Sequence, residues 1–308
     1  MSHRVMIHPV TTNRLQVQRL QDGRLHLHDG PIDLIIMAFG SNAQVEESYR
    51  AAVHRFGTVL DQLCAELPQL RERPCAGTSR FNRVVARRME QAVAPFADDC
   101  FITPMAAVAG AVAEEILYAM TSASKLDRAY VNNGGDIALH LAGNASFAVG
   151  MIERPDRPSL FGSLTVHAED PVRGIATSGW RGRSFSLGIA DAVTVLADHA
   201  AQADAAATII ANAVDLPGHP AVKRVPAREL APDSDLGGRL VTQNVDALTP
   251  QEIDAALNAG AGRARELLDR GLIRAAALRL QGETVLAGIG DAPAIMSVCQ
   301  TKGSLVHA

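Results

Sequence analysis

The chain has 308 residues, 47% of them hydrophobic, with 29 basic and 33 acidic side chains and a formal net charge of −4. Such a chain buries a large core, and its length alone leaves one big domain or two open. A slightly acidic balance, with lysine only at Lys125, Lys223 and Lys302, carries no electrostatic footprint for nucleic acid.

Residues 24–37, RLHLHDGPIDLIIM, alternate around an Asp-Gly-Pro turn and predict a hairpin. Apolar residues at helical spacing (Val53, Phe56, Val59, Leu60, Leu63) predict one long helix over 43–70. A second helix is expected over 80–94, stopped by Pro95, and a third from Pro104, small and apolar on its first turns as a closely packed, buried helix would be. Strands follow near 127–133, 136–142 and 145–152, then the proline-rich break ERPDRPS, then strands near 160–167 and 172–177. A short strand over 191–198 feeds the alanine-rich helix HAAQADAAATIIANAV. Residues 216–238 hold four prolines and no clear period, which predicts a long loop. Thr249-Pro250-Gln251-Glu252 forms a capping box that opens a helix ending near Arg270-Gly271, and two strands, IRAAALRL and TVLAGI, close the pattern. There is no internal repeat. The elements together predict a mixed α/β fold.

The opening segment is polar and no run reaches the roughly 18 apolar residues that a membrane-spanning helix needs, so the expectation is a cytoplasmic protein with no membrane partner. Cys64, Cys75, Cys100 and Cys299 lack paired spacing and are expected to be reduced thiols, neither a disulfide framework nor a zinc site.

Three segments carry candidate chemistry. In AYVNNGGDIALHL, Asn132, Asn133, Gly134, Gly135 and Asp136 interrupt a strand. Two glycines permit positive φ and close approach of a backbone to a ligand, and Asp136 could accept from a ribose hydroxyl or hold a cation; equally, the stretch is a bulged turn with an Asx cap. Asp204 and Thr208 lie four apart on an alanine helix and so share one face. They supply either two hard oxygens for a magnesium–phosphate pair, or a dipole-favoured acid and a back-bonded hydroxyl. In GIATSGWRGRSFS, Thr177, Ser178 and Gly179 precede Trp180, Arg181 and Arg183, a set that suits a flat anionic ligand or an ordinary turn whose tryptophan half-covers the core.

NNGGDI resembles the Asn-x-Gly-Gly-Asp-Ile motif of the ApbE family, the FAD:protein FMN transferases, and TVLADHAAQADAAAT resembles that family's strand-to-helix element. MAAVAGAVAEE and ATSG fall in the expected order, so the resemblance spans about 104–212. It implies a single ApbE-like domain over 1–308 of the α+β type, a T-fold with mixed or antiparallel sheets flanked by helices, and a C-terminal helix-plus-strands segment at about 249–290. It implies FAD or FMN as ligand, at a site made by Asn132, Gly134, Gly135, Asp136, Thr177, Ser178, Gly179 and Trp180. It further implies magnesium on Asp204, Thr208 and the carbonyl of Ala109, with Asp136 or Asp191 as the proton acceptor.

The chain departs from that pattern at two places: Gly110 stands where the family has a lysine, unless Arg181 or Arg183 replaces it, and Gly188 stands where it has a histidine, with Asp191 keeping the acid. The implied activities are a magnesium-dependent flavin transferase or FAD pyrophosphatase, or else a non-catalytic flavin carrier or a flavoprotein subunit serving a partner oxidoreductase. The acceptor or partner protein, and whether the chain forms a homo-oligomer, stay open.

Overall fold

A computed structural model describes residues 14–74, 79–152, 160–288 and 296–298. The polar opening segment, the ERPDRPS break, Cys75, Cys299 and the last residue of the expected TVLAGI strand lie outside the described residues. Cys64 and Cys100 are free thiols, as expected.

The described strands are β1 (Gln16–Arg19), β2 (Leu25–Asp29), β3 (Ile32–Phe39), β4 (Arg128–Asn133), β5 (Asp136–Leu141), β6 (Ser146–Ile152), β7 (Leu160–His167), β8 (Gly174–Ser178), β9 (Ala192–Ala197), β10 (Val222–Pro226), β11 (Leu240–Val245), β12 (Ala275–Leu280), β13 (Glu283–Ala287) and β14 (Met296–Val298). The helices are α1 (Asn42–Phe56), α2 (Val59–Ala65), α3 (Leu67–Leu70), α4 (Val84–Val93), α5 (Val108–Ala123), α6 (Ala200–Ala213), α7 (Ala227–Leu230) and α8 (Pro250–Asp269). Nine strands form one sheet in the order β1-β2-β3-β4-β5-β8-β9-β12-β13, and every pairing in it is antiparallel. A second sheet runs β14-β7-β6 and a third is the pair β10-β11.

Alternation decides which layer covers which face. Leu25, Leu27, Leu34 and Ile36 face a helical layer with Phe56, Met89, Ile116 and Met120, while Leu139, Ile175 and Leu196 face the small sheet through Phe147, Phe161, Leu164 and Val166. All six residues of β9 are buried, as a strand covered on both faces requires. Each large apolar side chain so buried contributes roughly 1.5–3 kcal/mol.

Helices α5 and α6 pack directly on one another and on the sheet. Their approach is close because Gly110 has no side chain: a Cβ there would lie 2.3 Å from the carbonyl oxygen of Ala200. Neither helix has a side-chain cap of its own. Instead they exchange carboxylates: Asp204 of α6 accepts from the Gly110 N–H at 3.0 Å, and Glu114 of α5 accepts from the Ala201 N–H at 3.0 Å. Each exchange satisfies one orphan donor, worth about 1 kcal/mol.

Two expectations are corrected. The helix over 43–70 is three helices, because α1 is capped at Gly57, and Pro68, which has no N–H to donate to the preceding turn, falls in the first turn of α3. The loop over 216–238 contains β10 and α7, with Pro226 closing β10 on a two-stranded sheet where a missing donor costs little. No described helix is long and apolar enough to cross a membrane.

Candidate functional site

At one end of the large sheet, the β4–β5 turn, the β8–β9 loop, the small sheet and helices α5 and α6 enclose a cavity of about 530 Å³. The site begins with the di-glycine. Asn133 pairs with Asp136 across a two-residue hairpin, and Gly134 and Gly135 take φ of +67° and +116°, values that L side chains rarely adopt. The Asn132 side chain accepts from the Gly135 N–H at 2.9 Å, so it stabilises the turn. The stretch is therefore a tight turn and also a cavity wall.

Asp136, Thr177, Ser178, Gly179, Asp191, Asp204, Thr208 and Ala109 line the same cavity. Asp136 accepts from the Thr177 N–H at 3.2 Å, and burial pushes its carboxyl up to about 7 against the lowering by that bond and by the Arg183 charge. Burial first, and the Asp136 charge second, raise the Asp204 carboxyl well above its ordinary value. Two neighbouring carboxylates of this kind favour a shared proton or a bound cation. The Thr208 hydroxyl makes no hydrogen bond among the described residues, which excludes the back-bonded alternative, and Asp204 lies beyond the first turn of α6, where it serves α5 instead.

Two residues fall elsewhere in role. Trp180 does not line the cavity; it is half-buried against the helical core, with the Arg181 guanidinium 4.2 Å from its ring centre. Asp191 lines the cavity but is engaged twice, accepting from Arg181 Nε at 2.7 Å and from the Gln281 N–H at 2.6 Å. Each of its oxygens thus holds one bond that anchors the β8–β9 loop. Gly110 and Gly188 are packing positions: a Cβ at 188 would meet the Ala211 carbonyl at 2.1 Å, so neither place directs a side chain toward the cavity.

Other parts of the site had no assigned role in the sequence. Asn133 is buried and donates to the Ala109 carbonyl at 3.2 Å, and Asp33 binds His26 Nε2 at 2.7 Å on the cavity rim. Val149, Met151, Ile152 and Leu164 of the small sheet form an apolar wall. The alternation in RLHLHDGPID puts His26, His28 and Asp33 on one face and was the available signal for the rim.

A family model described as AbpE bacteria matches residues 17–286. The chain belongs to this family. Among relatives of this ApbE-like protein, a UPF0280 protein of Methanopyrus kandleri is 40% identical over 128 residues, 42% of this chain and 48% of the relative. A UPF0280 protein of Methanothrix thermoacetophila is 41% identical over 114 residues, 37% of this chain and 46% of the relative. The chain spans about half the length of the curated relatives it matches. Among solved structures, the flavin transferase ApbE of Vibrio cholerae aligns with a TM-score of 0.42 at 11% identity, over 89% of this chain and 96% of that one.

The oxygen set of the ApbE-like cavity fits a hard cation. Asp204 accepts from the Gly110 N–H through Oδ2 and also meets the Ala109 N–H, Thr208 offers a hydroxyl with no partner among the described residues, and Asp136 and Ala109 line the same space. Among the described residues there is no cluster of three or more His, Cys, Asp or Glu that could hold a metal by itself. Few protein oxygens with room beside them suit magnesium shared with ligand phosphates.

Proposed function

We propose that the cavity binds a flavin nucleotide, FAD or FMN, together with magnesium held by Asp204, Thr208 and the Ala109 carbonyl. The observation that carries this reading is the two-sided lining: carboxylate and hydroxyl oxygens, a glycine turn and a guanidinium on one side, and Val149, Met151, Ile152 and Leu164 on the other. An apolar wall suits a flat ring, and the guanidinium with the carboxylate and hydroxyl oxygens opposite it suits a phosphate and its cation. Magnesium, when bound, would neutralise phosphate charge and polarise a phosphoryl oxygen. The chain's own residues bind and orient: Gly134 leaves room for the Arg183 side chain across the turn, and Asn133 fixes the Ala109 carbonyl.

Binding is favoured over rapid transfer. Asp191 is engaged by Arg181 and Gln281, and neither Gly110 nor Gly188 directs a group at the ligand. Losing one electrostatic or acid–base group typically costs about 10²- to 10⁴-fold in rate. Incubation with FAD and magnesium, with AMP release followed by chromatography, should give slow or no turnover while flavin binding persists. Rapid AMP release that disappears in Asp204→Asn would establish a transferase or pyrophosphatase instead.

A further inference from the structure

Arg183 is the one cation among the described residues that line the cavity. The other arginine of its loop, Arg181, is held by Asp191 and lies over Trp180. Arg183 makes no ion pair or hydrogen bond with any described residue, and it is exposed. Its guanidinium crosses the di-glycine turn: a Cβ at position 134 would lie 2.0 Å from an Arg183 terminal nitrogen, so Gly134 is small where this side chain passes.

The loop root is built to hold that placement. The Trp180 backbone N–H donates to the Ala190 carbonyl at 3.0 Å, the Gly182 N–H to the Gly179 carbonyl at 3.0 Å, and Asp191 ties Arg181 to the Gln281 N–H of the β12–β13 turn. Gly179 lets the two arms of the loop close, since a Cβ there would lie 2.3 Å from the Asp191 carbonyl oxygen. The anchored root thus presents one free guanidinium at the di-glycine turn, in the cavity that Asp136, Asp204 and Thr208 also line.

We infer that Arg183 is the phosphate clamp of this cavity, binding the phosphoryl or diphosphoryl group of its ligand over the di-glycine turn, with Asp191 as its positioning residue. The inference rests on the flavin-nucleotide reading and deepens it. A planar guanidinium with paired N–H donors matches phosphate oxygens bidentately, whereas its solvated alternative would contribute nothing to affinity.

The test is calorimetric titration of wild type, Arg183→Met and Arg183→Lys with riboflavin, FMN, FAD and inorganic pyrophosphate, all with magnesium, after matched thermal melts. A charge-assisted contact predicts roughly ten- to hundred-fold weaker binding of FMN, FAD and pyrophosphate to Arg183→Met, partial recovery in Arg183→Lys, and unchanged riboflavin affinity. Asp191→Asn should weaken the same three ligands by a smaller factor and leave riboflavin unchanged. Unchanged FMN and pyrophosphate affinity in Arg183→Met, or an equal loss for riboflavin, overturns the clamp while leaving the flavin reading standing. A wild type that binds pyrophosphate and no flavin overturns the flavin reading and not the clamp; one that binds none of the four overturns both.

Discussion

The exchange of carboxylates between α5 and α6 gives Asp204 two roles that a single substitution would confound. Its carboxylate accepts from the buried Gly110 N–H at 3.0 Å and lines the cavity beside Asp136. Asp204→Asn keeps an acceptor oxygen for Gly110 and removes a charge that burial and Asp136 both disfavour. Asp204→Ala leaves the Gly110 N–H without a partner, at a cost of about 1–3 kcal/mol. Urea denaturation of metal-free protein should therefore show Asp204→Asn within about 0.5 kcal/mol of wild type, or more stable, and Asp204→Ala clearly less stable, with unchanged m-values. Both variants should lose the magnesium dependence of nucleotide binding. Equal destabilisation by Asn and Ala would refute the capping argument.

Gly110→Lys should not restore a cation to the cavity; its Cβ meets the Ala200 backbone, so a loss of about 1–3 kcal/mol or failure to fold is expected, read by circular dichroism and denaturation. Gly135→Val should abolish nucleotide binding at modest cost in stability, and the cost arises from φ of +116°, since nothing lies within 4 Å of a Cβ placed there; calorimetry and melting check both parts. Glu115 is buried, which by itself raises its pKa, yet hydrogen bonds from Arg55 and Arg88 hold the carboxyl below its ordinary value. A depressed folded pKa gives stability that is present above the unfolded value of about 4.5 and lost as pH falls through the folded one, so Glu115→Gln should be less stable at neutral pH and flatten the acid limb of a stability–pH curve.

Much of the fold was legible because local chemistry and tertiary structure agree. The Thr249 capping box opens α8 with both reciprocal bonds formed, and the alternation of residues 24–37 gives the β2–β3 hairpin. The failures have physical causes. Helical spacing runs on through Gly57 and Pro68, where the backbone breaks; β10 is a short run between prolines with no clear period, and the partner of β14 is distant in sequence, so no local period announces either pairing. Motif spacing brought Gly134, Asp136, Thr177, Asp204 and Thr208 to one cavity. Spacing could not show that Asp191 is consumed by Arg181, that Trp180 turns to the core, or that β6 and β7 supply the apolar wall, because each depends on packing between side chains that no local period encodes.

A flavin nucleotide and magnesium are proposed to share this cavity. Calorimetric titration of FMN and FAD into the wild-type protein, with magnesium and with a chelator, decides whether they do. Both nucleotides are predicted to bind, more tightly with magnesium, and Asp204→Asn to lose that tightening. No binding of either nucleotide at millimolar concentration, with or without magnesium, would contradict the claim.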